Sequence, residues 1–304
     1  MPQKVVTFGE IMLRLSTPAF DRFVQASQFD LTFGGGEANV AASLAQFGVD
    51  AFFVSRLPTN PMGDAALSHL RRFGVRTDYI ARGGDRLGIY FLETGASQRP
   101  SKVVYDRSHS AVTTFEPSDT DWNVVFQDAS WFHWTGITPA LGEAPRRALA
   151  DALAAARSNG ATISCDLNYR AKLWSVKQAQ AAMRPLMEFV DVCIANEEDA
   201  EKCLGMRAAD SDVDEATIDE AGYAQLTQNL RSEFGFDAVA ITLRESHSAS
   251  RNEWSAMLLG GAGKAAPVTE AFRSRKYDIQ IVDRVGAGDS FAAGLIYGFL
   301  KRDT

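Results

Sequence analysis

Apolar residues fall along this chain in two alternating rhythms. The runs 4–8, 51–55, 129–134, 161–165, 190–195 and 238–243 are almost continuously apolar or β-branched, as expected of strands covered on both faces. Between them, segments 37–47, 62–73, 142–157, 175–189, 197–204 and 219–234 carry apolar positions at helical spacing. Gly48 and Gly74 stop the first two of these helices. A strand over 278–282 and a strongly apolar helix over 288–300 complete the alternation. Strands alternating with helices predict an α/β fold around a mostly parallel sheet.

Two stretches break the rhythm. Residues 11–33 and 78–106 hold strand patterns at 11–15, 29–33, 79–80, 89–93 and 102–105, with glycine turns and no helix between them. Such strands cannot join the parallel sheet by right-handed crossovers. They predict a small separate sheet, a lid inserted into a single domain spanning 1–304. The acidic stretch 210–220 reads as a solvated loop running into a helix.

Composition narrows the class. The 304 residues are 46% hydrophobic and 23% charged, which is ordinary for a globular protein. The net charge of −7 lacks the basic excess of a nucleic-acid binder. No apolar run reaches membrane-spanning length and no signal peptide opens the chain, so a cytoplasmic protein is expected. Cys165, Cys193 and Cys203 are unpaired in spacing and suit a reducing compartment. The four histidines, His69, His109, His133 and His247, are scattered and suggest no metal cluster.

The sharpest chemical signal is the strand–turn–helix passage 279–291. Gly286, Ala287 and Gly288 open the last helix, whose free backbone N–H groups and dipole favour an anion. Asp289 stands in its first turn. Taken alone, an aspartate there only complements the helix dipole. Behind it, however, an apolar helix places the turn in a crevice at the strand ends, where α/β proteins bind ligands. A carboxylate beside an anion hole suits proton removal from a hydroxyl during phosphoryl transfer. No GxxxxGK[ST] or GxGxxG pattern is present, which argues against a P-loop enzyme or a dinucleotide dehydrogenase.

At this point the chain resembles the ribokinase-like (PfkB) carbohydrate kinases. The residues that carry the resemblance are 286–291 with Val282 and Asp283, the passage 34–41, residues 70–75, Asp166-Leu167-Asn168 with Arg170, and 196–199. The resemblance implies a three-layer α/β/α ribokinase-like fold whose β-sheet lid closes over a sugar and often pairs subunits into a homo-oligomer. It implies that Asp289 is the base and that Gly286, Ala287 and Gly288 form the anion hole. It implies ATP and Mg²⁺, with Asn196 acting on the nucleotide and metal through water. Asp199 stands where the family pattern has glutamate. Thr242 and Arg244 fall on the nucleotide side, and Asp283 and Val285 match where some relatives hold a monovalent cation such as K⁺.

Within that family the chain is most similar to the 2-keto-3-deoxygluconate kinases, on residues 9–16, 37–39 and 105–111. The resemblance implies phosphorylation at O6, giving the 6-phosphate. A sugar acid wants a guanidinium fork, and Arg107 and Arg170 are the candidates. Gly34, Gly35, Asn39, Tyr90, Tyr105, Asp166 and Asn168 complete the expected substrate set. Two alternatives stay open at this stage: a fructokinase or other ketose kinase, and a sugar or nucleotide sensor without turnover.

Overall fold

The computed structural model describes residues 3–207, 220–260 and 271–302. Fourteen strands are present among them: β1 (Lys4–Phe8), β2 (Met12–Ser16), β3 (Asp30–Gly34), β4 (Asp50–Leu57), β5 (Ile80–Arg82), β6 (Ile89–Glu93), β7 (Lys102–Asp106), β8 (Ala129–Thr135), β9 (Thr162–Asp166), β10 (Val192–Ala195), β11 (Ala238–Ser246), β12 (Arg251–Gly260), β13 (Phe272–Arg273) and β14 (Tyr277–Gln280). The helices are α1 (Gly36–Gln46), α2 (Pro61–Arg72), α3 (Trp122–Phe126), α4 (Ile137–Ala140), α5 (Glu143–Ser158), α6 (Val176–Leu186), α7 (Glu197–Leu204), α8 (Glu220–Phe234) and α9 (Ala287–Arg302).

The large sheet runs β13-β12-β11-β10-β9-β8-β1-β4-β5, with β14 also on β12. From β11 to β5 every pairing is parallel; β12 turns back antiparallel on β11. Side chains alternate between two cores, as the period of a strand demands. Val6, Phe52, Phe132 and Cys193 enter one, with α5, α6 and α7 over it. Val5, Phe53, Trp131 and Ile194 enter the other, beneath α1 and α9. Both faces are covered, which is why these strands read as continuous apolar runs.

His133 lies fully buried in β8, with Nδ1 on Ser164 Oγ at 2.8 Å. Burial pushes it down to about 3, so it is neutral. All three cysteines are free and buried.

The small sheet has the order β3-β2-β6-β7. Its strands alternate between two unlike faces. Leu15, Leu31, Phe91 and Val104 lie in register on one face. Arg14, Thr32, Tyr90 and Tyr105 lie on the other.

Three expectations need correction, and one strand was not expected. Ile80–Arg82, expected in the small sheet, pairs in parallel with β4 in the large one, because α2 is the crossover that returns the chain alongside β4. The expected strand 278–282 is Tyr277–Gln280, exposed along its length and antiparallel to β12, not a buried strand; Val282 is 95% exposed. The helix expected over 175–189 ends at Leu186 and continues as a 3₁₀ turn, Met187–Phe189, just past Pro185. Strand β12 had no counterpart in the apolar pattern, because inward positions near its start are Asn252 and Ser255. The acidic loop expected over 210–220 lies outside the described residues, apart from Glu220 at the start of α8.

Candidate active site

The carboxyl ends of β1, β8, β9, β10 and β11 open on a cleft of about 570 Å³. Ligands bind at such strand ends in open α/β sheets. The small sheet walls one side through Met12, Tyr90, Val103 and Tyr105. All the residues singled out for catalysis, sugar and nucleotide line this one cleft: Gly34, Gly35, Asn39, Tyr90, Tyr105, Arg107, Asp166, Asn168, Arg170, Asn196, Asp199, Thr242, Arg244 and 286–289.

Gly286 has φ +91°, a left-handed value that glycine adopts without strain. The turn it makes delivers the chain into α9, so Ala287, Gly288 and Asp289 present the first turn of that helix to the cleft. Ala292, Ala293, Ile296, Phe299 and Leu300 bury one side of α9. The helix is not buried all round: Gly294 and Gly298 face solvent. Asp289 Oδ2 accepts from Asn39 Nδ2 at 2.6 Å, although 250 residues separate them. Burial lifts the Asp289 carboxyl to about 6, while the Asn39 bond and the Arg170 charge work the other way.

Three further carboxyls line the same cleft. Asp166, at the end of β9, is held well above the usual range by burial and then by Asp199 and Asp289. Asp199 rises to about 6, chiefly by burial. Its Oδ1 accepts from Tyr169 N at 2.9 Å, and Asn196 caps α7 by accepting from Asp199 N at 2.7 Å. Glu37, 1% exposed, is pushed by burial to about 7. One of its oxygens accepts from Thr135 N, Thr135 Oγ1 and Thr138 Oγ1 at 2.7–3.1 Å. Asp166 and Asp199 are hard oxygen donors packed together out of water, and a divalent cation such as Mg²⁺ suits that pairing.

The two candidate arginines differ. Arg107 forks onto Glu10 through Nε and Nη2, and Ser110 Oγ donates to the other Glu10 oxygen at 2.8 Å. Its guanidinium also stacks 5.2 Å from the Tyr105 ring centre. Arg107 thus enters the cleft already salted to a buried acid. Arg170 donates to the Tyr169 carbonyl at 2.9 Å and has no ion pair among the described residues. Its charge reaches Asp166, Asp199 and Asp289.

Asn168 adopts φ +39°, and its buried Oδ1 has no hydrogen-bond partner among the described residues. Burial lifts the Tyr90 hydroxyl to about 12, so it stays protonated as a donor. At the other end of the cleft lie Thr242, Arg244, Trp254 and Arg284. Asp283 is not among the residues lining the cleft: one oxygen accepts from Arg14 at 2.6 Å, the other from Val285 N at 3.0 Å.

Glu10 and Glu37 belong to this site, although sequence reasoning gave them no part in it. Their signal was available. Each is an acid flanked by glycine and apolar residues at the end of a predicted strand or the start of a predicted helix.

A model of the pfkB family of carbohydrate kinases matches residues 2–304. The crystal structure of a 2-dehydro-3-deoxygluconokinase from Thermotoga maritima is similar with a TM-score of 0.92 at 56% identity, over 98% of this chain and 88% of that one. A 2-dehydro-3-deoxygalactonokinase of Haloferax volcanii is 35% identical, over 97% of this chain and 84% of its own length. A 2-dehydro-3-deoxygluconokinase of Bacillus subtilis is 27% identical, over 99% and 84%.

Proposed function

Because the chain belongs to the pfkB family of carbohydrate kinases, we propose that it transfers the γ-phosphoryl group of ATP to O6 of 2-keto-3-deoxygluconate. The observation that carries this reading is Asp289, fixed by Asn39 at the anion-favouring start of α9 in a cleft that also holds Arg107 and Arg170. The sugar hydroxyl gives its proton to Asp289 as it attacks phosphorus. The N–H groups of 286–288 meet the charge that grows on the phosphoryl oxygens. Arg170, which has no ion pair among the described residues, takes the sugar carboxylate. Arg107, held on edge by Glu10, turns its remaining N–H groups to the same end, and the Tyr90 hydroxyl and Asn168 fix the keto and hydroxyl oxygens. Arg244 and Thr242 take the nucleotide phosphates.

Mg²⁺, when bound, neutralises phosphate charge, and Asn196, Asp199 and Asp166 would hold it through water. K⁺ near Asp283 and Val285 would require Asp283 to leave Arg14. The small sheet shields the reaction from water. Its outer face, with Leu31 and Val104 exposed and Phe29 packed edge-on to Phe91, supports pairing of two copies through the lid. No helix among the described residues is long and apolar enough to cross a membrane. Buried free thiols and the use of ATP fit a cytoplasmic enzyme.

The test is an ADP-release assay with Mg²⁺ over 2-keto-3-deoxygluconate, its galacto epimer and fructose. The gluconate-derived acid is expected to give the highest kcat/KM. A preference for fructose would overturn the sugar-acid reading.

A further inference from the structure

We propose that Asn39 is a positioning residue for the base: it holds one carboxylate oxygen of Asp289 and leaves the other to receive the substrate proton. The inference rests on the reading of Asp289 as the base, and it reassigns a residue expected to grip the sugar. Three features of the fold converge on it.

The first is helix packing. Asn39 and Asp289 occupy the first turns of α1 and α9, which pack along each other through Ala38, Ala41, Ala292 and Ala293. Small residues at that seam let the two helix starts meet at 2.6 Å across the cleft floor. The second is the amide's orientation. Asn39 Oδ1 faces the Gly35 N–H at 3.5 Å, so Nδ2 is the end turned to Asp289. A Cβ on Gly286 would stand 3.4 Å from that nitrogen and 3.6 Å from Asp289 Oδ2, so the loop lies alongside the pair. The third is the anchoring of α1. A Cβ on Gly35 would sit 1.8 Å from the Glu10 carbonyl, and Glu37 is tied to Thr135 and Thr138. The helix start that carries Asn39 is fixed on both sides.

One oxygen of Asp289 is therefore occupied by a fixed donor, and its Oδ1 is the one open to substrate. The charged groups that face Asp289 are Glu37 from α1, Asp166 from the end of β9 and Arg170 from the loop after it. Among them the Asn39 bond favours the ionised base.

The test compares Asn39→Ala and Asn39→Asp with the parent enzyme, using 2-keto-3-deoxygluconate, ATP and Mg²⁺ across pH 5 to 9. Asn39→Ala loses the donor, and Asn39→Asp replaces it with a second carboxyl that must share a proton with Asp289. The expected result is a kcat lower by about 10- to 100-fold, a sugar KM within about threefold of the parent, and an acid limb of kcat displaced to higher pH, further in Asn39→Asp. A sugar KM raised tenfold or more with kcat and its acid limb unmoved would overturn the inference and return Asn39 to the sugar. Where Asn39→Ala does not fold, the near-isosteric Asn39→Asp reads the same quantities and decides in its place. Asp289→Asn, measured beside them, separates the two claims: if it keeps activity the base assignment fails, and if it is inactive while the Asn39 limb stays put, only this inference fails.

Discussion

Replacing Glu10 with Gln removes the charge that faces Arg107 in the wall of the cleft. The side chains of Glu10 and Arg107 are 3% and 11% exposed, so water screens neither of them. The carboxylate takes two donors from Arg107 on one oxygen and the Ser110 hydroxyl on the other. Breaking a buried pair by neutralising one partner costs roughly 3–5 kcal/mol, because the other charge is left uncompensated out of water. Removing both charges costs far less, since desolvation cancels much of the attraction. Glu10→Gln and Arg107→Met are therefore each expected to lose about 3 kcal/mol, and the double variant to regain most of it. Urea unfolding followed by tryptophan fluorescence reads this, as Trp131 and Trp134 are buried in the sheet. Single variants within about 1 kcal/mol of the parent, or a double variant as unstable as their sum, would refute the reasoning. Arg107→Met also tests function: about a tenfold rise in KM for the sugar acid is expected if its free N–H groups reach the substrate carboxylate.

Three other expectations follow from the same site. Burial lifts Asp289 to about 6 in the ligand-free chain, so kcat/KM for the sugar should fall as pH drops through 6, whereas an unshifted aspartate would hold it down to about pH 4; rate measurements at subsaturating sugar decide between them. Stability should move the opposite way. Asp289, Asp199 and Glu37 have folded values raised above their unfolded ones, so the folded chain binds more protons between about pH 4 and 7. The ligand-free protein should therefore lose stability from these groups as pH rises from 5 to 7, and urea midpoints that climb steadily over that range would contradict it. Gly35→Ala should abolish activity and lower stability by several kcal/mol, because its Cβ would lie 1.8 Å from a backbone oxygen that cannot swing away; near-parental unfolding would count against the packing.

The sequence carried the parallel strands because each is covered on both faces and so reads as an apolar run. It carried the turn into the last helix because Gly286 to Asp289 is a contiguous passage. The small sheet was legible as strands without helices, but β5 was misassigned because two or three residues hold too little pattern to choose a sheet. Strand β12 was missed where polar Asn252 and Ser255 face inward. Both candidate arginines line the cleft, yet no local pattern could show that Arg107 arrives paired with Glu10, 97 residues away. The contact of Asn39 with Asp289 was hidden for the same reason: it exists only once α1 and α9 pack. What sequence missed is thus long-range pairing between residues whose types were each visible.

The central claim is that Asp289 removes the proton from the sugar hydroxyl. Asp289→Asn keeps the shape and the neighbours of that side chain but cannot accept the proton. Single-turnover phosphorylation of 2-keto-3-deoxygluconate with radiolabelled ATP, alongside equilibrium ATP binding, tests it most directly. The account predicts a rate lower by roughly a thousandfold or more with ATP affinity little changed. A variant that transfers phosphate within tenfold of the parent rate would contradict it.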